Sequence, residues 1–453
     1  MDKWRSSRTD GLVWDKVLVA RVGSSASETS GSVAEGDRFA DKPASCAFGR
    51  VGAGGSVPTT MEHSMQLLLK SILWGGLIIV LYAYVLYPVG VSAVARLRRE
   101  SLRVSAMTEA APAFSVVLAV HDEGPRIRSR LDELVALIAT TRSPAEVIVV
   151  ANGCGDDTPA LARSHPSPLV RVIELPENAG KAHALTCGYE AAKGDLLVFA
   201  DARQSWAADS LERLLENFAS PEVGAVSGEL VIEAASGVLA GVGLYWRYEK
   251  WLRRNEARLH STVGVSGSIC AVRRDLFRPI PRGVLLDDLY WPMQVVMQGR
   301  RVVYDDRALA HDRLPDRPAD EFRRKVRTLS GNFQIAAMLP QVLLPWRNPI
   351  WVQFVSHKLL RLVIPWLLLA VFFTSGVLYT PLYLTVFLAQ LLFYVFAASA
   401  LAGGPGSGWR LGRVAASFVV LNAAAWLAFW VWICGRSDAA WKKVAYDTPL
   451  HPD

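Results

Sequence analysis

Residues Ile72 to Val94 carry no charged side chain, and three further apolar runs follow late in the chain, at Leu362 to Tyr379, Leu382 to Leu401 and Val414 to Ile433. Each is close to the ~20 residues that an apolar helix needs to cross a bilayer. This layout, one span and then three with a long polar stretch between them, constrains the fold more than any other feature. Arg96, Arg98, Arg99 and Arg103 follow the first run directly, which by the positive-inside tendency places the intervening stretch in the cytoplasm at the inner or plasma membrane. Residues 346–361 carry Trp351, His357 and Lys358 among apolar neighbours, a pattern expected of a helix lying in the interface against membrane lipid. Four crossings put both ends of the chain outside, yet Arg436, Lys442 and Lys443 in the tail 434–453 oppose that; either one run is not a full crossing or the charge tendency is overridden.

With 453 residues and 51% hydrophobic content, the chain can form one large domain besides these spans. The net charge of +7 does not point to nucleic acid, because Lys and Arg gather beside apolar runs and inside short motifs instead of forming one basic tract. Cys46, Cys154, Cys187, Cys270 and Cys434 form no Cys-x-x-Cys pair and no metal-type spacing with histidine, and they read as reduced. Residues 1–65 are rich in Gly, Ser and Ala without periodicity and are expected to be disordered, or to be a start-site artefact ahead of Met61 and Met65.

Residues 110–338 form the domain. Short apolar runs, Phe114 to Val120, Glu146 to Val150, Val170 to Glu174 and Leu196 to Phe199, alternate with segments of helical period at 126–139, 181–192, 210–218 and 288–297. The spacing predicts an α/β fold around a largely parallel sheet. Ligands of such sheets collect beyond the carboxyl ends of the strands. The residues there are His121-Asp122-Glu123, Asn152-Gly153-Cys154-Gly155-Asp156, Asn178-Ala179-Gly180-Lys181, Asp201-Ala202-Arg203 and Asp287-Asp288.

That series resembles the family 2 glycosyltransferases, in particular the membrane-embedded branch with cellulose, hyaluronan, chitin-oligosaccharide and poly-N-acetylglucosamine synthases. The resemblance implies a glycosyltransferase-A type domain with flanking transmembrane helices. It also implies inverting transfer from a nucleotide-sugar donor, a uridine diphosphate sugar, to a growing polysaccharide or lipid-linked glycan. Two other readings stay open: a single-step polyprenyl-linked sugar transferase, and a catalytically silent nucleotide-sugar-binding scaffold.

Carried over residue by residue, the resemblance puts His121, Glu123 and Asn152 at the nucleotide base and ribose. Ala151 stands where the family has a carboxylate. Asp156 to Thr158 read more simply as a helix cap before Pro159. Lys181 opens a helix in the matching segment Asn178 to Leu185 and can neutralise a donor phosphate. Asp201-Ala202-Arg203 replaces the family's Asp-x-Asp, so the second metal-binding carboxylate is missing. Asp201 is left to hold Mg²⁺ or Mn²⁺, with Arg203 either binding phosphate directly or forming a local ion pair with Asp201. Asp288 is carried over as catalytic base, beside Asp287. Arg327 aligns with the arginine of the processive members' Gln-x-x-Arg-Trp, while Arg324 and Thr328 replace its Gln and Trp, and Arg323 and Arg324 also fit a basic helix near anionic lipid. Gly264 to Arg274 resembles the acceptor loop. Tyr245, Trp246, Tyr248 and Trp251 read as packing residues.

Overall fold

The computed structural model describes residues 59–98, 112–232, 239–312 and 318–436. Cys46, Arg99, Arg103, Lys442, Lys443 and most of the segment 1–65 lie outside them. Within that segment the expectation of disorder is corrected at its end, because helix α1 (Thr59–Leu81) already includes Met61 and Met65. α1 passes through a π-helical turn (Tyr82–Leu86) into α2 (Tyr87–Leu97).

The domain then unfolds in order as β1 (Phe114–Val120), α3 (Gly124–Thr140), β2 (Ala145–Asn152), α4 (Thr158–Arg163), β3 (Val170–Leu175), α5 (Lys181–Ala191), β4 (Leu196–Ala200), β5 (Ser205–Trp206), α6 (Ser210–Glu216), β6 (Val223–Ile232), α7 (Leu239–Leu259), β7 (Ile269–Arg273), α8 (Asp287–Met297), β8 (Arg301–Asp312) and α9 (Pro318–Met338). The strands join one sheet in the order β3-β2-β1-β4-β7-β6-β8-β5. β3, β2, β1 and β4 are parallel, as strands linked by crossover helices must be. The expectation of a largely parallel sheet holds for that half and for one pair in the other. β7 inserts antiparallel between β4 and β6, while β6 and β8 pair in parallel.

β1 and β4 are almost wholly buried, since helices cover both faces of the sheet. One core cluster joins Leu118, Ile127, Leu131 and Val198; the other joins Val117, Leu185, Phe199, Phe277 and Trp291. Asp156 ties two helix starts together. One carboxylate oxygen accepts from the Gly124 amide at 3.0 Å and the other from the Thr158 amide at 3.0 Å, which is the capping role that its spacing suggests.

Four helical stretches are long and apolar enough to cross a membrane, by length and composition: Glu62–Leu97, Trp351–Val377, Pro381–Leu401 and Arg410–Ile433. α10 (Trp351–Gln353) runs through π-helical turns (Phe354–Leu359) into α11 (Leu360–Val377), and α12 (Pro381–Leu401) and α13 (Arg410–Ile433) follow. The interfacial helix expected over 346–361 is therefore not a separate element. From Trp351 it is the first part of the helix that ends at Val377, and His357 is buried within the protein. Leu68, Ile78, Phe373, Leu392 and Trp430 stand exposed on these helices, the kind of apolar surface that lipid would cover. α13 packs on α9, with Phe333 stacked on Trp432 at 5.5 Å, which ties the sheet domain to the apolar helices.

Candidate active site

Three loops at the carboxyl ends of β1, β2 and β3 meet first. Asn152 holds the turn that carries Asn178. Its amide nitrogen donates to Asn178 Oδ1 at 3.0 Å, and its Oδ1 accepts from the Ala179 amide at 3.0 Å. Gly153 makes the approach possible. Its φ is +60°, and a Cβ there would stand 2.1 Å from the Asn178 backbone nitrogen. His121 Nδ1 lies 2.9 Å from the Asn152 carbonyl, and Asp122, itself at φ 53°, accepts from the Gly155 amide at 2.7 Å. Glu123 donates its amide to Thr158 Oγ1 and pairs with Arg126 through its carboxylate. Ligand atoms of His121, Asp122 and Cys154 lie within 4.8 Å of one another, a grouping with no sequence signal because Cys154 belongs to another loop.

Deeper in, Gly180 at φ +85° starts α5 and delivers Lys181 into the site. Lys181 Nζ donates to Asp201 Oδ1 at 2.6 Å and reaches the Gly267 carbonyl at 3.4 Å. Burial works to lower the lysine pKa, but the charges of Asp201, Asp287 and Asp288 outweigh it and hold the ammonium protonated. Asp288 shifts the other way. Burial and the Asp287 charge push its carboxyl up to about 6, against the opposing pull of Lys181, Arg253 and Lys358.

Asp288 is also fixed through its backbone. Pro292 lies one helical turn on and has no N–H to offer the Asp288 carbonyl. The Val265 amide donates to that carbonyl at 2.8 Å instead, which binds the glycine loop to the start of α8. Gly264 allows this approach: its φ is +85°, and a Cβ there would lie 3.0 Å from the Asp288 carbonyl oxygen.

The local ion pair between Asp201 and Arg203 is not formed. Asp201 is taken by Lys181, and Arg203 donates to Asp312 at 2.7 Å, where Gln204 also donates at 2.9 Å. Sequence reading misses Asp312, which is 109 residues from Arg203 and carries no local periodicity. It also misses Arg130, whose Nε donates to the Asp201 carbonyl at 3.1 Å and holds that strand end. Arg327 lies on α9 one turn before Gly331, which packs against Leu285 and Leu286 just ahead of Asp287. Tyr245 and Trp246 pack under Lys325, and Tyr248 under Arg361, in keeping with a packing role for the aromatic face of α7.

In ligand type a divalent ion suits the carboxylates here, although among the described residues they are not gathered into one ligand cluster. Around the one ammonium of Lys181 stand three carboxylates, Asp201, Asp287 and Asp288, all hard oxygen ligands. Asp201 is the residue at the strand end that would hold the ion, with the remaining ligands supplied by a bound diphosphate.

The sequence model described as glycosyl transferase family 2 matches residues 115–280. The chain is 39% identical over 98 residues to dolichyl-phosphate beta-glucosyltransferase of Drosophila melanogaster, a match that covers 20% of this chain and 30% of that protein. It is 23% identical over 237 residues to poly-beta-1,6-N-acetyl-D-glucosamine synthase of Staphylococcus aureus (strain COL), covering 49% of this chain and 55% of that one. The chain thus spans about a third and about half of the length of these curated relatives. Among solved structures it is similar in fold to a mannosyltransferase from Pyrobaculum calidifontis in complex with GDP-Man and Mn²⁺, with a TM-score of 0.59 at 22% identity, covering 82% of this chain and 99% of that one.

Proposed function

This chain belongs to glycosyl transferase family 2 through residues 115–280, and from that premise we propose that it is an inverting membrane transferase. It moves a sugar from a nucleotide diphosphate donor to a hydroxyl of a growing polysaccharide or lipid-linked glycan. The observation that carries the reading is the charge arrangement around Lys181: one ammonium faces Asp201 at the end of β4 and the Asp287-Asp288 pair at the start of α8.

In this reading His121, Glu123 and Asn152 border the base and ribose, while Lys181 and Arg203 face the diphosphate. Arg203, held by Asp312, can offer phosphate a charged planar donor. Asp288 takes the proton of the acceptor hydroxyl as its oxygen bonds to the anomeric carbon. The bond from that carbon to the diphosphate breaks, and the nucleoside diphosphate leaves with the electron pair. Attack from the face opposite the leaving group inverts the configuration. Asp287 helps to keep the neighbouring carboxyl basic, and Arg327 supports the closed site. When bound at Asp201, Mg²⁺ or Mn²⁺ supplies charge neutralisation to the leaving diphosphate.

The four apolar helices support a multi-pass reading, and Arg96 and Arg98 at the end of the first support a cytoplasmic face for the sheet domain. Arg324 and Thr328, in place of the Gln and Trp of processive relatives, favour a second reading within the same class, a single-step polyprenyl-linked sugar transferase.

Membranes carrying the wild type or Asp288→Asn, supplied with labelled uridine and guanosine diphosphate sugars with and without chelator, test the proposal. Transfer from one donor that disappears in the variant supports it, and product size separates polymerase from single-step enzyme. Nucleotide binding without transfer from any donor sinks it in favour of a silent scaffold.

A further inference from the structure

α7 presents one polar face to the apolar helices. Glu249, Arg253 and Glu256 recur at spacings of four and three residues and so share that face. Both glutamates are buried and both are taken. His357 lies between them, with Nε2 2.8 Å from Glu249 Oε2 and Nδ1 3.0 Å from Glu256 Oε1. Arg361 pairs with Glu249, and the Tyr87 hydroxyl donates to Glu256 at 2.5 Å.

Arg253 and Lys358 stand inside this cluster without such partners. Among the described residues neither makes a hydrogen bond or a contact ion pair, and Arg253 Nε is buried with nothing to donate to. Lys358 is near enough to act on Arg253 and on both glutamates. Arg253 and Lys358 thus add two cations to the cluster that no carboxylate among the described residues contacts. Half-buried cations without a contact partner are costly unless an anion joins them. Both cations also act on the carboxylate of Asp288, so they lie beside the candidate base.

Its surroundings are membrane-facing. Lys358 belongs to the helix Trp351–Val377 and Tyr87 to the helix Glu62–Leu97, both long and apolar enough to cross a bilayer. We propose that Arg253 and Lys358 form an anion site for the phosphate that joins a lipid-linked acceptor to its chain. The guanidinium offers a planar fork and the ammonium a point charge, a combination suited to phosphate oxygens. The donor diphosphate has Lys181 and Arg203, and a free polysaccharide has no phosphate to place there. A sugar carried on the bound phosphate can turn a hydroxyl toward Asp288.

This inference rests on the transferase reading above, and it is tested separately from it. The full chain in neutral phosphatidylcholine nanodiscs is titrated with tritiated farnesyl phosphate, with farnesol and phosphatidylglycerol as competitors. The wild type binds farnesyl phosphate, and farnesol does not displace it. Arg253→Gln and Lys358→Gln each weaken binding roughly tenfold, as expected for loss of a charged hydrogen bond. Nucleoside diphosphate binding in the same samples stays unchanged, which reports an intact fold. Undiminished binding in the double variant overturns the site. So does equal binding of farnesol by the wild type, an outcome that decides the matter even if the variants do not fold. Equal displacement by phosphatidylglycerol identifies a general headgroup site and overturns the acceptor assignment. Absence of transfer from every nucleotide sugar, with farnesyl phosphate still bound, counts against the transferase reading alone.

Discussion

The ammonium of Lys181 and the carboxylate of Asp201 meet at 2.6 Å, although one opens α5 and the other ends β4. The same lysine is the foremost of the positive charges that oppose the upward shift of Asp288. Lys181→Met therefore removes a donor contact and a restraint on the base at once. Its kcat/KM is expected to fall roughly a hundredfold, the scale of losing one charge-stabilising donor. The acid limb of its pH profile moves to higher pH, because Asp288 loses a favourable positive neighbour. A pH–rate series on the variant in membranes checks both, and an unmoved acid limb would falsify the coupling.

Asp288, raised to about 6 by burial and Asp287, fixes the sign of two effects. A base must be ionised to act, so transfer is full above about pH 7 and is lost as pH falls through about 6. Stability runs the other way. A carboxyl whose folded pKa lies above its unfolded value near 4 binds more protons when folded, so its contribution grows more favourable as pH falls from about 6 toward 4. Asp288→Asn is expected to abolish transfer and to stabilise the protein at pH 7 by on the order of 1 kcal/mol, after allowance for partial solvent screening. Paired activity and thermal melts of the variant read this directly. A variant less stable than the wild type contradicts it.

Arg203 and Asp312 make the substituted metal motif testable. Asp312 is 2% exposed and receives both Arg203 and Gln204. Arg203→Ala removes a charged donor from that buried carboxylate, a change expected to cost on the order of 3 kcal/mol in stability. If Arg203 also meets the diphosphate, donor affinity measured by titration with nucleotide sugar in chelator falls roughly tenfold in the variant. Arg203→Lys restores charge but not the fork, and recovers only part of the affinity. Equal donor affinity in wild type and Arg203→Ala removes the direct phosphate role.

The parallel half of the sheet was legible because its signal is local. β1 is an apolar run bounded by polar residues, and it begins and ends at Phe114 and Val120 as the pattern predicts. β8 was not legible, since Asp305, Asp306 and Arg307 interrupt its alternation, and what supports them is distant: Asn217 donates to Asp305 from the end of α6. The same limit applies to the site. Gly153 and Lys181 announce themselves through a turn and a helix start, whereas the partner of Arg203 is set by where β8 ends. His357 and Lys358 read as an interfacial pair for a similar reason: sequence gives their polarity among apolar neighbours but not the α7 carboxylates that face them.

His357 offers the sharpest test of how the sheet domain is fastened to the apolar helices. It touches both Glu249 and Glu256, and Glu256 is fully buried. Burial works to raise the Glu249 pKa, but Arg361 and His357 overcome it and hold the carboxyl well below the usual range. Stability from Glu249 is thus present above its unfolded pKa near 4 and is lost as pH falls further. His357→Ala removes one partner from each glutamate and leaves Glu256 with the Tyr87 hydroxyl. Breaking a buried pair in this way costs roughly 3–5 kcal/mol, so the variant should melt far earlier in detergent at pH 7. His357→Ala combined with Glu256→Gln should recover a large part of that loss, because the orphaned charge is then gone. If the double variant is no more stable than the single one, the cost lies in lost packing around the π-helical turns and not in the buried charge.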